Sequence, residues 1–233
     1  MTEASPYAAI ARVFAQARDM DAPLNARLSL LAEAVRDGSP QFANAVEHLI
    51  ARLSRSGLGK SAPQIGETLP PFVLPDQEGR LVGLPALLAR GPTVVSFLRG
   101  HWCPYCRLTA SAFARVQNRI GPAHMVAITP DTGGFATRLK QDAEIDYPLL
   151  TDPDCGYALS LNLAFWVDDQ FADLMRSVGQ DLAAYQARGA WVLPVPATFV
   201  LDSKGVVVAR QVDPDYRRRI EMDDLVAAFE AAD

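Results

Sequence analysis

The chain has 233 residues, an apolar fraction of 49%, a charged fraction of 21% and a formal net charge of -5. This is the composition of a globular protein with a sizeable core, and the acidic balance argues against a nucleic-acid partner, whose phosphates require clustered Lys and Arg. The one basic run, Arg217-Arg218-Arg219, is flanked by Asp213, Asp215, Glu221, Asp223 and Asp224 and reads as a solvated surface turn.

Residues 1–60 read as helical. Leu24, Leu28, Leu31 and Val35 share one face, and Phe42, Ala45, Val46, Leu49, Ile50 and Leu53 share another, with Gly38-Ser39-Pro40 breaking the two helices apart. A weaker helical pattern runs from Tyr7 to Ala17. Such stripes must be buried, either on the remainder of the chain or in a subunit interface such as that of a homodimer. Ser56 to Lys60 forms a joint, after which residues 61–233 alternate strands and helices. Phe72-Val73-Leu74 and Leu81 to Leu84 form a hairpin around Asp76 to Gly79. Strands follow at Thr93 to Leu98, Met125 to Thr129 and Pro148 to Leu150, with helices at Arg107 to Ile120 and Phe135 to Asp142 between them. A short helix is expected at Cys155 to Leu161, then an irregular stretch from Asn162 to Trp191 with helical turns near Leu174 and Leu182. A second hairpin, Thr198 to Leu201 with Val206 to Ala209, and a helix carrying Met222, Leu225, Val226 and Phe229 end the chain. The fold class is therefore α/β, a mixed sheet flanked by helices with an N-terminal helical extension.

The chemistry concentrates in Arg99-Gly100-His101-Trp102-Cys103-Pro104-Tyr105-Cys106, at the turn between the 93–98 strand and the following helix. A helix N-terminus presents unpaired N–H groups and a partial positive charge, which favour a thiolate. Two cysteines separated by two residues close and reopen a small disulfide ring. The same pair is also half of a structural zinc site, but the remaining candidates Cys155, His48, His101 and His124 show no ligand spacing, so no metal or cofactor is expected. Met1 to Pro6 carry no basic-then-apolar export pattern, and no apolar run is long enough to cross a bilayer. The expected location is cytoplasmic, without a membrane partner, and there three cysteines point to catalysis rather than a structural disulfide framework.

The block from Gly66 to the end resembles the AhpC/TSA-type peroxiredoxin-like proteins of the thioredoxin-fold superfamily. The resemblance rests on Pro70-Pro71-Phe72-Val73-Leu74, Gly91-Pro92, Arg99 to Cys106, Pro194 to Asp202, and Asp213-Pro214-Asp215-Tyr216. It implies a thioredoxin-like redox domain over 61–233. Its two branches choose opposite nucleophiles: the thioredoxin pattern selects Cys103 with Cys106 resolving, and the peroxiredoxin pattern puts Cys106 at the attacking position. Cys103 is favoured slightly. The position that matches the peroxiredoxin arginine is Pro196, where thioredoxins place a cis-proline, so a cis Val195–Pro196 bond is expected. The buried acid of thioredoxins matches Phe97, which moves no proton. Arg99 is a cation that stands in for the missing arginine, or else points to solvent; His101 is a candidate proton carrier; Trp102 packs as a lid beside the nucleophile; Tyr105 shapes the turn. Cys155 reads as a half-buried helix-start residue.

The function implied is a thiol peroxidase that reduces peroxides through a Cys103/Cys106 cycle, recycled by a thioredoxin-like protein or a low-molecular-weight thiol. Two alternatives are a disulfide reductase without peroxidase activity and a non-enzymatic redox-switched binding or sensor module. Metal delivery through the two thiols is a third.

Overall fold

The computed structural model describes residues 6–132, 134–186, 189 and 191–232. Residues 1–5, on which the export-signal reading rests, lie outside them. Three helices lead: α1 (Pro6–Asp19), α2 (Leu24–Gly38) and α3 (Pro40–Ser56). Ser39-Pro40 separates α2 from α3 because proline is tolerated only in the first turn of a helix. Gly57, in the left-handed conformation, ends α3.

A hairpin of β1 (Val73–Pro75) and β2 (Leu81–Gly83) follows, then the short α4 (Leu84–Leu88) where the sequence alone suggested that the strand continues to Leu84. Pro85 in its first turn is the signal for that helix. Next come β3 (Thr93–Phe97), α5 (Pro104–Ile120), β4 (Met125–Thr129), α6 (Phe135–Ala143), β5 (Leu149–Thr151) and α7 (Gly156–Ser160). The expected irregular stretch contains β6 (Ala164–Trp166), α8 (Asp169–Ser177) and β7 (Val192–Pro194), with β6 and β7 paired antiparallel. No local turn signal announces two three-residue strands this far apart in the chain. The chain closes with β8 (Ala197–Leu201), β9 (Val207–Val212) and α9 (Met222–Glu230).

The main sheet has the order β5-β4-β3-β8-β9. β3, β4 and β5 run parallel, and β8 and β9 are antiparallel additions. β3 is central and buried along its whole length, and its side chains alternate between two cores. Val94 and Leu98 face one, with Ala127 and Val200; Val95 and Phe97 face the other, with Ile128 and Phe199.

The N-terminal helices share the first core instead of standing apart. Leu24, Leu28 and Leu31 of α2 and Val46, Leu49 and Leu53 of α3 join Leu108, Ala112 and Phe113 of α5 in one cluster. Polar clamps reinforce the docking. The Glu221 carboxylate accepts from the N–H groups of Leu24 (2.7 Å) and Asn25 (2.9 Å), satisfying orphan donors at the start of α2. At the C-terminal end of α1, the buried Arg27 donates to the Ala17 carbonyl at 2.6 Å, and Arg115 of α5 donates to the Arg18 carbonyl at 2.6 Å.

Candidate active site

Cys103 is the N-cap of α5 and Cys106 lies in its first turn. The local sequence dictates this: Pro104 starts the helix with a preset φ, and Gly100, at φ +129°, turns the chain out of β3. A Cβ at position 100 would run into the Asp131 carboxylate, so the turn requires glycine twice over. The turn is closed by the Cys103 N–H to the Gly100 carbonyl (3.2 Å) and by the Trp102 indole Nε1 to the Arg99 carbonyl (3.0 Å). Both sulfurs are fully buried and unbonded to each other.

Arg99 turns inward, not to solvent. It is 4% exposed, its Nη2 donates to Cys103 Sγ at 3.0 Å, and its backbone N–H donates to Cys106 Sγ at 3.2 Å. Its guanidinium lies 3.5 Å from the centroid of the Tyr216 ring and 5.1 Å from that of Trp102. Two aromatic faces and one sulfur therefore hold a buried cation in place. Tyr105 packs edge-on against Tyr216 at 5.2 Å.

These contacts divide the two thiols. Burial alone pushes Cys103 up, but the hydrogen bond from Cys106 and the Arg99 charge outweigh it, and Cys103 ends well below the ordinary thiol range. Burial pushes Cys106 well above that range, and its hydrogen bond to Cys103 and the negative charge there push the same way. These opposite directions favour ionisation at Cys103 and retention of the proton on Cys106 in the reduced pair. The sulfur charge in turn holds Arg99 protonated against the effect of its burial.

His101 is not placed to handle protons at sulfur through its ring. The ring Nε2 meets Asp142 Oδ2 at 2.8 Å, and the ring stacks on Phe135, so it is occupied on the α6 side. Its backbone matters more: the His101 N–H donates to Asp131 Oδ2 at 2.6 Å. Trp102 serves as a brace for Arg99. The Val195–Pro196 bond is not cis: among the described residues every peptide bond is trans. The reason is local, because Val195 extends the β6–β7 hairpin by donating to the Leu163 carbonyl, and the chain passes without reversal into β8. Pro196 still stands next to the Phe97–Ala197 pair and so beside the start of the motif. Cys155 belongs to the other core, is fully rather than half buried, and is pushed up by burial, far from acting as a third exchange partner.

Three residues that sequence reasoning assigned no role complete the site. Tyr216 carries the Arg99 guanidinium. Arg219, read as part of a solvated turn, is 5% exposed and faces the cysteine pair, while Arg217 binds Glu47 and Asp215 and only Arg218 of the three is largely exposed. Asp131, just beyond β4, is buried to 0% exposure, and its Oδ1 has no hydrogen-bond partner among the described residues. Burial pushes its carboxyl up to about 7 against the His101 and Thr129 hydrogen bonds. An acid following a parallel strand that neighbours the motif-bearing strand was the available signal for it.

Comparisons with known proteins bear on the family and the fold. Residues 65–210 match the AhpC/TSA family. Two Mycobacterium tuberculosis proteins that bear the name peroxiredoxin are each 33% identical over 89 residues, 37% of this chain, and the chain spans 58% of the length of these curated relatives. Among solved structures, the peroxidoxin BcpB of Mycobacterium tuberculosis superposes with a TM-score of 0.56 at 22% identity, covering 73% of this chain and 99% of its own. The peroxiredoxin 6 of Arenicola marina gives 0.53 at 12% identity, covering 72% of each chain. Tyr216, Arg219 and the N-terminal helices lie outside the matched span. By that match and by its sheet, with a dithiol at the head of α5, the chain belongs to the AhpC/TSA family and is a peroxiredoxin-like protein of thioredoxin fold.

Proposed function

We propose that the protein is a thiol peroxidase in which Cys103 attacks and Cys106 resolves. The observation that carries the reading is the 3.0 Å hydrogen bond from the buried Arg99 guanidinium to Cys103 Sγ at the N-cap of α5. Such a contact stabilises the thiolate, which is the nucleophilic form. The Cys103 thiolate attacks one oxygen of a peroxide; the O–O bond breaks, Cys103 becomes a sulfenic acid, and the other oxygen leaves as water or alcohol after taking a proton. The Arg99 charge, already fixed next to the sulfur, helps the departing oxyanion. Cys106 then condenses with the sulfenic acid to give the disulfide and water. A thioredoxin-like protein or a low-molecular-weight thiol supplies the two electrons that restore the dithiol, and a reducing cytoplasm suits a Cys103/Cys106 pair that must return to the dithiol form.

Burial favours peroxide over a protein disulfide as the oxidant. A disulfide must bring its sulfur in line with Cys103 Sγ, and that atom has no exposed surface, whereas a peroxide of a few heavy atoms needs only a local opening. The trans bond before Pro196 also takes away the feature that would have favoured the disulfide reductase. The test is peroxide consumption coupled to a thioredoxin system, run beside insulin reduction. Loss of peroxide turnover in Cys103→Ser supports the reading; turnover that survives in Cys103→Ser and disappears in Cys106→Ser reverses the roles; insulin reduction without peroxide turnover replaces it with the disulfide reductase.

A further inference from the structure

Arg219 sits between β9 and α9, more than 100 residues beyond the cysteines in sequence, with its backbone locked in place. Its N–H donates to Asn25 Oδ1 at 2.9 Å, and Asn25 Nδ2 donates back to its carbonyl at 2.7 Å. Its Nη1 donates to the Arg218 carbonyl at 2.7 Å. The other two nitrogens, Nε and Nη2, are buried and find no oxygen or nitrogen partner among the described residues; the side chain's hydrogen-bonding neighbour on that side is the Cys106 sulfur. The group they face is Cys106, whose charge acts on Arg219 more strongly than that of Cys103. The site thus contains two buried arginines, one per sulfur: Arg99 on Cys103 and Arg219 towards Cys106.

In the resting state this second arrangement is unfavourable. An arginine remains charged in proteins, and a buried cation beside a neutral thiol lacks the anion that would compensate its lost hydration. The arrangement becomes favourable when Cys106 is an anion. That happens at one point of the cycle: once Cys103 has become an uncharged sulfenic acid, the negative charge that helped hold the Cys106 proton is gone, and the two arginines are left to act against burial alone.

We propose that Arg219 is a catalytic residue of the second half-reaction, stabilising the Cys106 thiolate that attacks oxidised Cys103. In that step Cys106–SH loses its proton, its sulfur forms the S–S bond, the S–O bond of Cys103 breaks, and the released hydroxide takes the proton as water. The oxidant was consumed in the first step, so electrons balance without a further reactant. The same charge serves Cys106 if Cys103 is instead held in a mixed disulfide. The inference rests on the proposed order of the two cysteines. It assigns the chain beyond the family match a chemical role, and it makes the Asn25 clamp a link between the N-terminal helices and the site.

Stopped-flow fluorescence separates the two steps, since Trp102 packs on Arg99: a peroxide-dependent phase reports sulfenic acid formation and a peroxide-independent phase reports the disulfide. Arg219→Met, which keeps an unbranched apolar stem and removes the charge, is expected to leave the first phase within about twofold and to slow the second by about tenfold or more, since one unit of thiol pKa is a tenfold change in thiolate. Mass spectrometry should then find more Cys103 sulfinic acid per turnover. The second phase of the variant should also regain speed as pH rises, which a merely structural role would not produce. Arg219→Gln repeats the measurement if the first variant does not fold. A second phase within twofold of wild type in a folded variant, or equal slowing of both phases, overturns the inference; so does failure of both variants to fold, which would assign Arg219 to stability. A wild type that shows no peroxide-dependent phase sinks the peroxidase reading itself, a different result.

Discussion

Replacing Arg99 tests the electrostatic core of the mechanism. In Arg99→Met an unbranched apolar side chain replaces the arginine stem without its guanidinium, and the backbone N–H to Cys106 Sγ is retained, so what disappears is chiefly the charge 3.0 Å from Cys103 Sγ. With the guanidinium centre about 4 Å from the sulfur and an effective dielectric of about 20, the lost attraction is about 4 kcal/mol, or about 3 pKa units. The N-terminus of α5 remains, but such a terminus contributes only about 0.3–1 kcal/mol, up to about 2 in buried geometries, so it does not make up the difference. The assay is alkylation of Cys103 by iodoacetamide from pH 4 to 10, located by mass spectrometry, because the rate follows the thiolate fraction. The inflection should move up by about 3 units, with Arg99→Lys between the two. Peroxide reactivity at pH 7 should fall by less than the thiolate fraction does, since a more basic thiolate is a better nucleophile. A shift below about half a unit would show that the helix terminus and the Cys106 hydrogen bond hold the thiolate without Arg99, and the reasoning fails.

Other positions give independent checks. Cys106→Ser should still react once with peroxide, leaving a sulfenic acid on Cys103 that dimedone traps, and a disulfide elsewhere in the chain would contradict the assigned pairing. Asp131 has a folded-state pKa of about 7, above its unfolded value, so folding favours its protonated form. Its contribution is intact below about pH 4 and is lost as pH rises to 7, on the order of 4 kcal/mol in total. Asp131→Asn should therefore gain on wild type between about pH 4 and 7 in denaturant unfolding, and parallel curves would refute the assignment. Gly100→Ala places a methyl against the Asp131 carboxylate at a φ of +129°, so the melting temperature and Cys103 reactivity should fall together. Leu28→Ala, at a fully buried position on α2, should cost about 2–5 kcal/mol in urea unfolding; a cost below 1 would mean that the N-terminal helices do not share the core.

Much of the architecture is legible in local patterns. The β-branched run ending at Phe97, Pro104 at the start of a helix, and the Leu24–Leu28–Leu31 stripe each express a preference that acts within a few residues, so the placement of both thiols at a strand-to-helix turn follows from the chain alone. Which thiol ionises does not. Cys103 and Cys106 differ by which charges and hydrogen bonds reach them in a buried interior, and those come from side chains brought together by folding. Tyr216 and Arg219 reach the site from the far side of β9, and Asp131 reaches it across the β3–β4 pairing. A run of three arginines looks the same in sequence whether its third member is solvated or buried. Burial and Coulomb energy depend on distance through space, and only the packed structure sets that distance.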